Sequence, residues 1–209
     1  MSVTPSVANL PGHPAPAVPT EPIWRLSVGQ YHEMIRNGIL TEDDPVELLG
    51  GLLVPNMTKS RPHSIATRRA REAIERILPD GWHVDSQEPV TLTASEPESD
   101  AIVVRGTPED YPNSQPTARD VALVVEVADA TLRRDRGWKK TLYAEANVAA
   151  YWIVNLAEGQ IEVYTDPSGP TAQPDYHQRR DFRAGDEVPV SLDGREVGRI
   201  AADAVLPSS

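Results

Sequence analysis

Cysteine is absent from the 209 residues, which removes disulfides, zinc-thiolate sites, iron-sulfur clusters and thiol nucleophiles from the chemistry the chain can supply. Also missing is any apolar run approaching the roughly 20 residues that cross a bilayer, and the N-terminus lacks the basic-then-apolar order of a signal peptide. A soluble, cytoplasmic protein with no membrane partner is therefore expected. Positive charge is in deficit: 20 Lys and Arg face 31 Asp and Glu, a formal charge of -11 with an isoelectric point near 4.9. Such a chain repels polyanions as a whole, so any phosphate chemistry must use a local basic patch. What is present, 39% hydrophobic content, suffices for one compact domain.

Residues 1–22 carry Pro5, Pro11, Pro14, Pro16, Pro19 and Pro22, a density that prevents a regular hydrogen-bonded ladder and reads as a disordered or polyproline-like tail. The remainder, 23–209, reads as a single domain. A short helix follows from Ser27 as cap, Val28, Tyr31, Met34 and Ile35 at helical spacing, and Gly38 as stop. VELLGGLLVP (46–55) looks like two short strands joined by a tight turn at Gly50-Gly51. On this segment alone Glu47 reads as an exposed residue of an edge strand. Residues 61–78 form an amphipathic helix with the stripe Ala66, Ala70, Ala73, Ile74 and Ile77. His63 at its start is a candidate ligand or base, although a lone histidine at a helix end is more often structural.

Strands are expected in WHVDSQ (82–87) and PVTL (89–92), followed by the polar TASEPESD (93–100). That segment reads either as an acidic surface loop or as the lead-in to a strand whose first residue projects Asp100 into a metal site. Residues 105–120 read as a surface loop. The stretch from Val121 to Tyr143 organises the rest: a β-branched apolar run with one acid inside it, Glu126, turns into a charged, helix-patterned segment. A buried strand has no reason to hold an acid unless something holds the charge. On the helix, Asp135, Lys139 and Tyr143 are four apart and share a face, so Asp135 can pair with Lys139. Trp138, Leu142 and Ala146 form an apolar stripe expected to pack on the sheet. Arg133, Arg134 and Lys140 are candidates for phosphate contact, and cations at a helix N-terminus are electrostatically unfavourable, which hints at function. ANVAAYWIVN (146–155) reads as a helix end and a strand, and further strands in 160–166 and 176–182 complete an α/β or α+β domain with a mixed central sheet flanked by helices.

VELLGG, the helix led by His63, Gln87-Glu88-Pro89-Val90, Glu96-Pro97-Glu98-Ser99-Asp100, VVEV, Asp135-Arg136 followed by Lys139 and Tyr143, and AAYWIVNL together resemble the Uma-type restriction endonuclease family of the PD-(D/E)xK nuclease superfamily, over residues 24 to 205. The resemblance implies a restriction-endonuclease-like core: a mixed four- or five-stranded sheet, helices on both sides, and metal-binding acids at strand ends. It maps the metal-binding acids to Asp100 and Glu126, with Glu47 as a further ligand or proton acceptor. The lysine of the usual E-x-K is missing, because position 128 is alanine, and Lys139 matches the lysine that takes its place. Ser99 stands where proline is usual. His63, Gln87, Asp135 and Tyr143 are supporting positions.

The implied activity is Mg²⁺- or Mn²⁺-dependent hydrolysis of DNA phosphodiester bonds, because hard carboxylates suit a hard cation that keeps several waters for exchange. Two other readings are a noncatalytic interaction module on the same fold and a nuclease acting on RNA. Cleavage of both duplex strands would call for a homodimer with two-fold symmetry.

Overall fold

The computed structural model describes residues 22–41, 43–56 and 59–207, so the proline-rich stretch lies outside the described residues except for Pro22. Helix α1 (Val28–Arg36) starts at Ser27, which makes a capping box with Gln30, and Gly38 follows it with φ +67°. Strands β1 (Val46–Leu49) and β2 (Leu52–Pro55) form an antiparallel hairpin. Gly50 and Gly51 turn it at φ +53° and +78°, as a two-residue hairpin loop of this hand requires. A Cβ on Gly51 would stand 2.6 Å from Arg25 Cβ, so glycine also lets residues 25–26 lie against the turn, where the Leu26 amide donates to the Gly51 carbonyl at 2.8 Å. Helix α2 (Arg61–Glu75) is capped by Ser60 and buries Ala66, Ala70, Ala73 and Ile74, but it stops short of the expected residue 78.

Strand β3 (Trp82–Asp85) follows, and β4 (Glu88–Pro89) pairs with β5 (Glu98–Ser99). The expected strand over 89–92 shrinks to that pair and an isolated bridge at Thr91, since Pro89 has no N–H to donate. β6 (Ala101–Arg105) leads through the surface loop to β7 (Val121–Ala128), whose eight residues are all buried. A helical segment then runs as α3 (Leu132–Arg134), a π turn (Asp135–Lys139) and α4 (Lys140–Glu145). β8 (Ala150–Asn155), β9 (Gln160–Pro167), β10 (Tyr176–Arg183), the hairpin β11 (Glu187–Leu192) and β12 (Arg195–Ala201), and α5 (Ala202–Val205) complete the order.

The central sheet has six strands in the order β10-β9-β8-β7-β6-β3, rather than four or five, because the 82–85 and 176–183 segments extend both edges. β7 and β8 are parallel and the other neighbours antiparallel, so the helical segment is the crossover that a parallel pair needs. One face, including Val125, Val127, Trp152 and Val163, is covered by α2, β11, β12 and α5. The other, including Ile102, Val124, Ile153 and Tyr164, lies under Tyr143 and Ala144 of α4. β6, β7 and β8 are buried on both faces and therefore read as nearly continuous apolar runs. Among the described residues no helix is long and apolar enough to cross a membrane.

Candidate active site

The register of the sheet brings the two main acids together. β6 and β7 pair Ala101 with Val125 in antiparallel sense, so Asp100, one residue before, stands opposite Glu126. Both are buried, at 5% and 4% exposure. Asp100 Oδ2 accepts the Val127 amide at 2.8 Å and lies 3.1 Å from His63 Nε2. The Ser60 cap starts α2 so that its first turn aims His63 at that oxygen. Asp100 Oδ1 is left facing the Lys59 ammonium at 3.8 Å.

Lys139 reaches into the same site from the π turn, 3% exposed. Its ammonium donates to Glu126 Oε1 at 2.9 Å and to the Glu98 carbonyl at 2.8 Å, and lies 3.2 Å from Glu47 Oε2. An ammonium has three donors, and these three partners use all of them. Tyr143, one turn on, donates to Glu126 Oε1 at 3.1 Å while its hydroxyl meets Ser99 Oγ at 2.9 Å. Arg134 Nη1 lies 3.4 Å from Glu47 Oε1 and donates to the Pro55 carbonyl at 3.0 Å.

Acid outweighs base here. Burial pushes the Glu126 carboxyl well above its usual range; Lys139 opposes the shift, and Asp100, Asp135 and Glu47 add to it. Burial likewise raises Asp135 against the pull of Lys139, Thr131 and Arg134. Burial alone would lower Lys139, but Glu126, Glu47 and Asp135 outweigh it and hold the ammonium above the ordinary lysine range. Glu47 Oε1 and Asp135 Oδ2 are buried without a hydrogen-bond partner. A cavity of about 70 Å³ opens among Asp100, Glu126, His63, Glu98, Asp135 and Lys139, room for an ion with a few waters. Among the described residues no three His, Asp or Glu side chains converge as a ready-made metal cage. The donor set is a pair of carboxylates under excess negative charge. That fits a hard divalent cation that keeps most of its waters, and it does not fit a fully protein-ligated ion.

Several expected residues are placed differently. Glu47 is not exposed on an edge strand: it is 1% exposed, because the hairpin folds it toward Lys139 and Arg134, and it does not line the cavity. The surface reading of 93–100 also fails. Glu96 is buried beneath His32, 2.8 Å away, and the Thr91 hydroxyl, and Ser95, Ser99 and Asp100 are buried with it. Asp135 does not form the ion pair with Lys139 that their spacing suggested, since the lysine's donors go elsewhere. Trp138 does not pack on the sheet and is 37% exposed. The inward face of this segment is held by Lys139 and Tyr143, and a residue beside Lys139 on the helix cannot share it.

Gln87 is exposed at φ +62°; its amide touches the Asp100 carbonyl at 3.3 Å, but its side chain is outside the cavity. Lys140 turns away to Asp175 at 2.7 Å, and Arg133 is exposed. Reading the sequence missed Lys59, Glu98 and Ser99. Glu98 supplies the carbonyl that holds Lys139 and a carboxylate held by Lys59 at 2.8 Å, and Ser99 positions Tyr143. Their only signal in the sequence is adjacency to Asp100 and to the Ser60 cap.

The family model named Uma2 and described as "Putative restriction endonuclease" matches residues 28–197. A crystal structure described as "a putative nuclease belonging to DUF820" from Anabaena variabilis shares the fold with a TM-score of 0.61 at 14% identity, covering 81% of this chain and 94% of that one. No curated protein matches the chain.

Proposed function

The chain belongs to the Uma2 family, and from that premise we propose that it is a nuclease: a Mg²⁺- or Mn²⁺-dependent endonuclease that hydrolyses phosphodiester bonds in DNA. One observation carries the reading: Asp100 and Glu126 meet across two strands in a small cavity whose excess negative charge is countered by one buried lysine. Asp100 and Glu126 would hold the ion. When bound, it would supply a water made nucleophilic near neutral pH and charge relief on the phosphate oxygens.

The protein's own groups do the rest. His63 and the Val127 amide hold Asp100 by Oδ2 and leave Oδ1 for the cavity. Tyr143 and Lys139 both take Glu126 Oε1, which leaves its other oxygen free to turn to the ion. Lys139 stays protonated, so it offsets charge building on a nearby phosphate through its field, and it contacts the phosphate directly only by giving up one of its three partners. Glu47 holds that lysine in place.

The test is nicking of supercoiled plasmid with Mg²⁺ by the wild type, Asp100→Ala and Glu126→Ala. Cleavage by the wild type alone is expected, and equal nicking by all three rules the site out. Structured RNA run beside the plasmid in the same salt identifies the preferred substrate.

A further inference from the structure

Beside the acid cavity lies a second groove of about 570 Å³, between β2 and the helical segment, with Val54 on one wall and Arg133, Gly137 and Trp138 on the other. It shares Ala130, Thr131 and Arg134 with the cavity, so the two adjoin. Its lining holds two arginines and no carboxylate, in a chain whose acids outnumber its bases 31 to 20. Arg133 is exposed and makes no ion pair among the described residues. Trp138 presents part of its indole to solvent beside it.

Gly137 sits inside a helical turn, where glycine is destabilising by about 1 kcal/mol relative to alanine. Neither backbone nor packing asks for it: its φ is not left-handed, and a Cβ there would meet nothing within 4 Å. What the missing side chain does is leave the groove open. A flat aromatic, an apolar floor and a guanidinium with no ion-pair partner among the described residues, next to the proposed phosphodiesterase cavity, match one nucleotide, with its base on the indole and its phosphate on the arginine.

We propose that the Trp138 groove takes the base of the nucleotide next to the scissile phosphate, so that the substrate is cut where it is single-stranded or where a base leaves the stack. This rests on the nuclease reading above and adds the substrate's structural class. A base within a duplex is covered on both faces and cannot lie on a protein side chain unless it unstacks.

The experiment measures binding in Ca²⁺ of two fluorescently labelled deoxyribose oligomers of equal length, one with bases and one abasic throughout. The wild type is expected to prefer the oligomer with bases by roughly 5- to 150-fold, the range for stacking on one aromatic. Trp138→Leu, which keeps apolar bulk without the π-face, and Gly137→Leu, which fills the groove, should bring the ratio near one without changing abasic binding. Trp138→Phe should restore part of the preference, and Arg133→Ala should weaken both oligomers alike. Unfolding midpoints of the variants show that each folds.

A wild type that binds both oligomers equally overturns the proposal. If that protein still nicks plasmid, only this inference falls; if it binds neither oligomer and cuts nothing, the nuclease reading falls with it. Loss of self-association in Trp138→Leu with no change in base preference would make the groove an interface between copies instead and would equally overturn it.

Discussion

Glu126 and Glu162 stand on one row of the sheet: Glu126 pairs with Ile153 on β8, and Ile153 pairs with Glu162 on β9. Two strand spacings, roughly 10 Å, separate them, both are buried, and the same π turn covers both, Lys139 reaching one and Arg136 the other. Their surroundings are opposite. Glu162 shares Arg136 with Glu158 and Arg179 with Asp181, both of them far more exposed, and Arg136, Arg179, Asn155 and Tyr164 all grip its carboxylate. Burial pushes its carboxyl up, but these hydrogen bonds and charges win and bring it down to about 2. Glu126 shares one lysine with Glu47, and Asp100 and Asp135 crowd it further.

The difference separates a structural carboxylate from the one to which the proposed function gives a reactive role. At Glu162 both carboxylate oxygens are held by hydrogen bonds and ion pairs, so the site anchors the helical segment to the sheet. At Glu126 acids crowd one another, and buried oxygens of Glu47 and Asp135 lack a hydrogen-bond partner, although Arg134 lies 3.4 Å from the Glu47 one. Under the proposed function, that crowded negative charge is what the divalent cation would take up.

Breaking the anchored side should have the largest effect. Glu162→Ala leaves the buried Asn155 amide and Tyr164 hydroxyl without their carboxylate, while Arg136 and Arg179 keep Glu158 and Asp181; a loss of about 2–5 kcal/mol in urea unfolding is expected, with Mn²⁺ affinity of the folded protein unchanged. A loss below about 1 kcal/mol would show the two glutamates to be less different than their partners suggest.

On the reactive side, Lys139→Gln keeps hydrogen-bond donors and removes the charge. Mn²⁺ binding by calorimetry should survive while cleavage falls about 10²- to 10³-fold. Parallel loss of binding would make the lysine a support for the carboxylates only.

Acid titration sharpens the contrast further. The folded pKa of Glu162 lies below its unfolded value of 4.5, so its stabilisation is complete above that pH and is lost as pH falls through about 2. Glu162→Gln should therefore flatten the stability profile between about pH 4.5 and 2 relative to the wild type, as measured by thermal unfolding across that window.

Ser99→Ala should have the smallest effect. It removes one partner of the Tyr143 hydroxyl, which still has Glu126, so about 0.5–1.5 kcal/mol of stability is expected to go. A larger loss would mean that Tyr143 depends on Ser99 for its position.

Helix α2, the Gly50-Gly51 hairpin, β7 and the 176–183 strand were legible from local signals: caps, apolar spacing, paired glycines and β-branched runs. Asp100 and Glu126 were legible because an acid in or beside an apolar run is anomalous wherever the run lies. Glu162 is the same anomaly within QIEVYTD and passed unread, because only Arg136 and Arg179, 26 residues before it and 17 after, explain it. Ser99 looked like a lost proline and is in fact a hydrogen-bond partner, visible only once Tyr143 is laid over it.

By itself the sequence determined which segments become strands and helices and which acids are out of place, since both follow from the chemistry of neighbours in the chain. The tertiary structure alone decided where those acids point and what answers them: Glu47 turned inward, Trp138 turned outward, and Lys139 held between Glu126 and Glu47. The physical reason is register. Which residue faces which across a strand pair or under a helix depends on distant parts of the chain: a shift of one residue would send a strand side chain such as Glu47 to the opposite face and rotate a helical one such as Lys139 by about 100°.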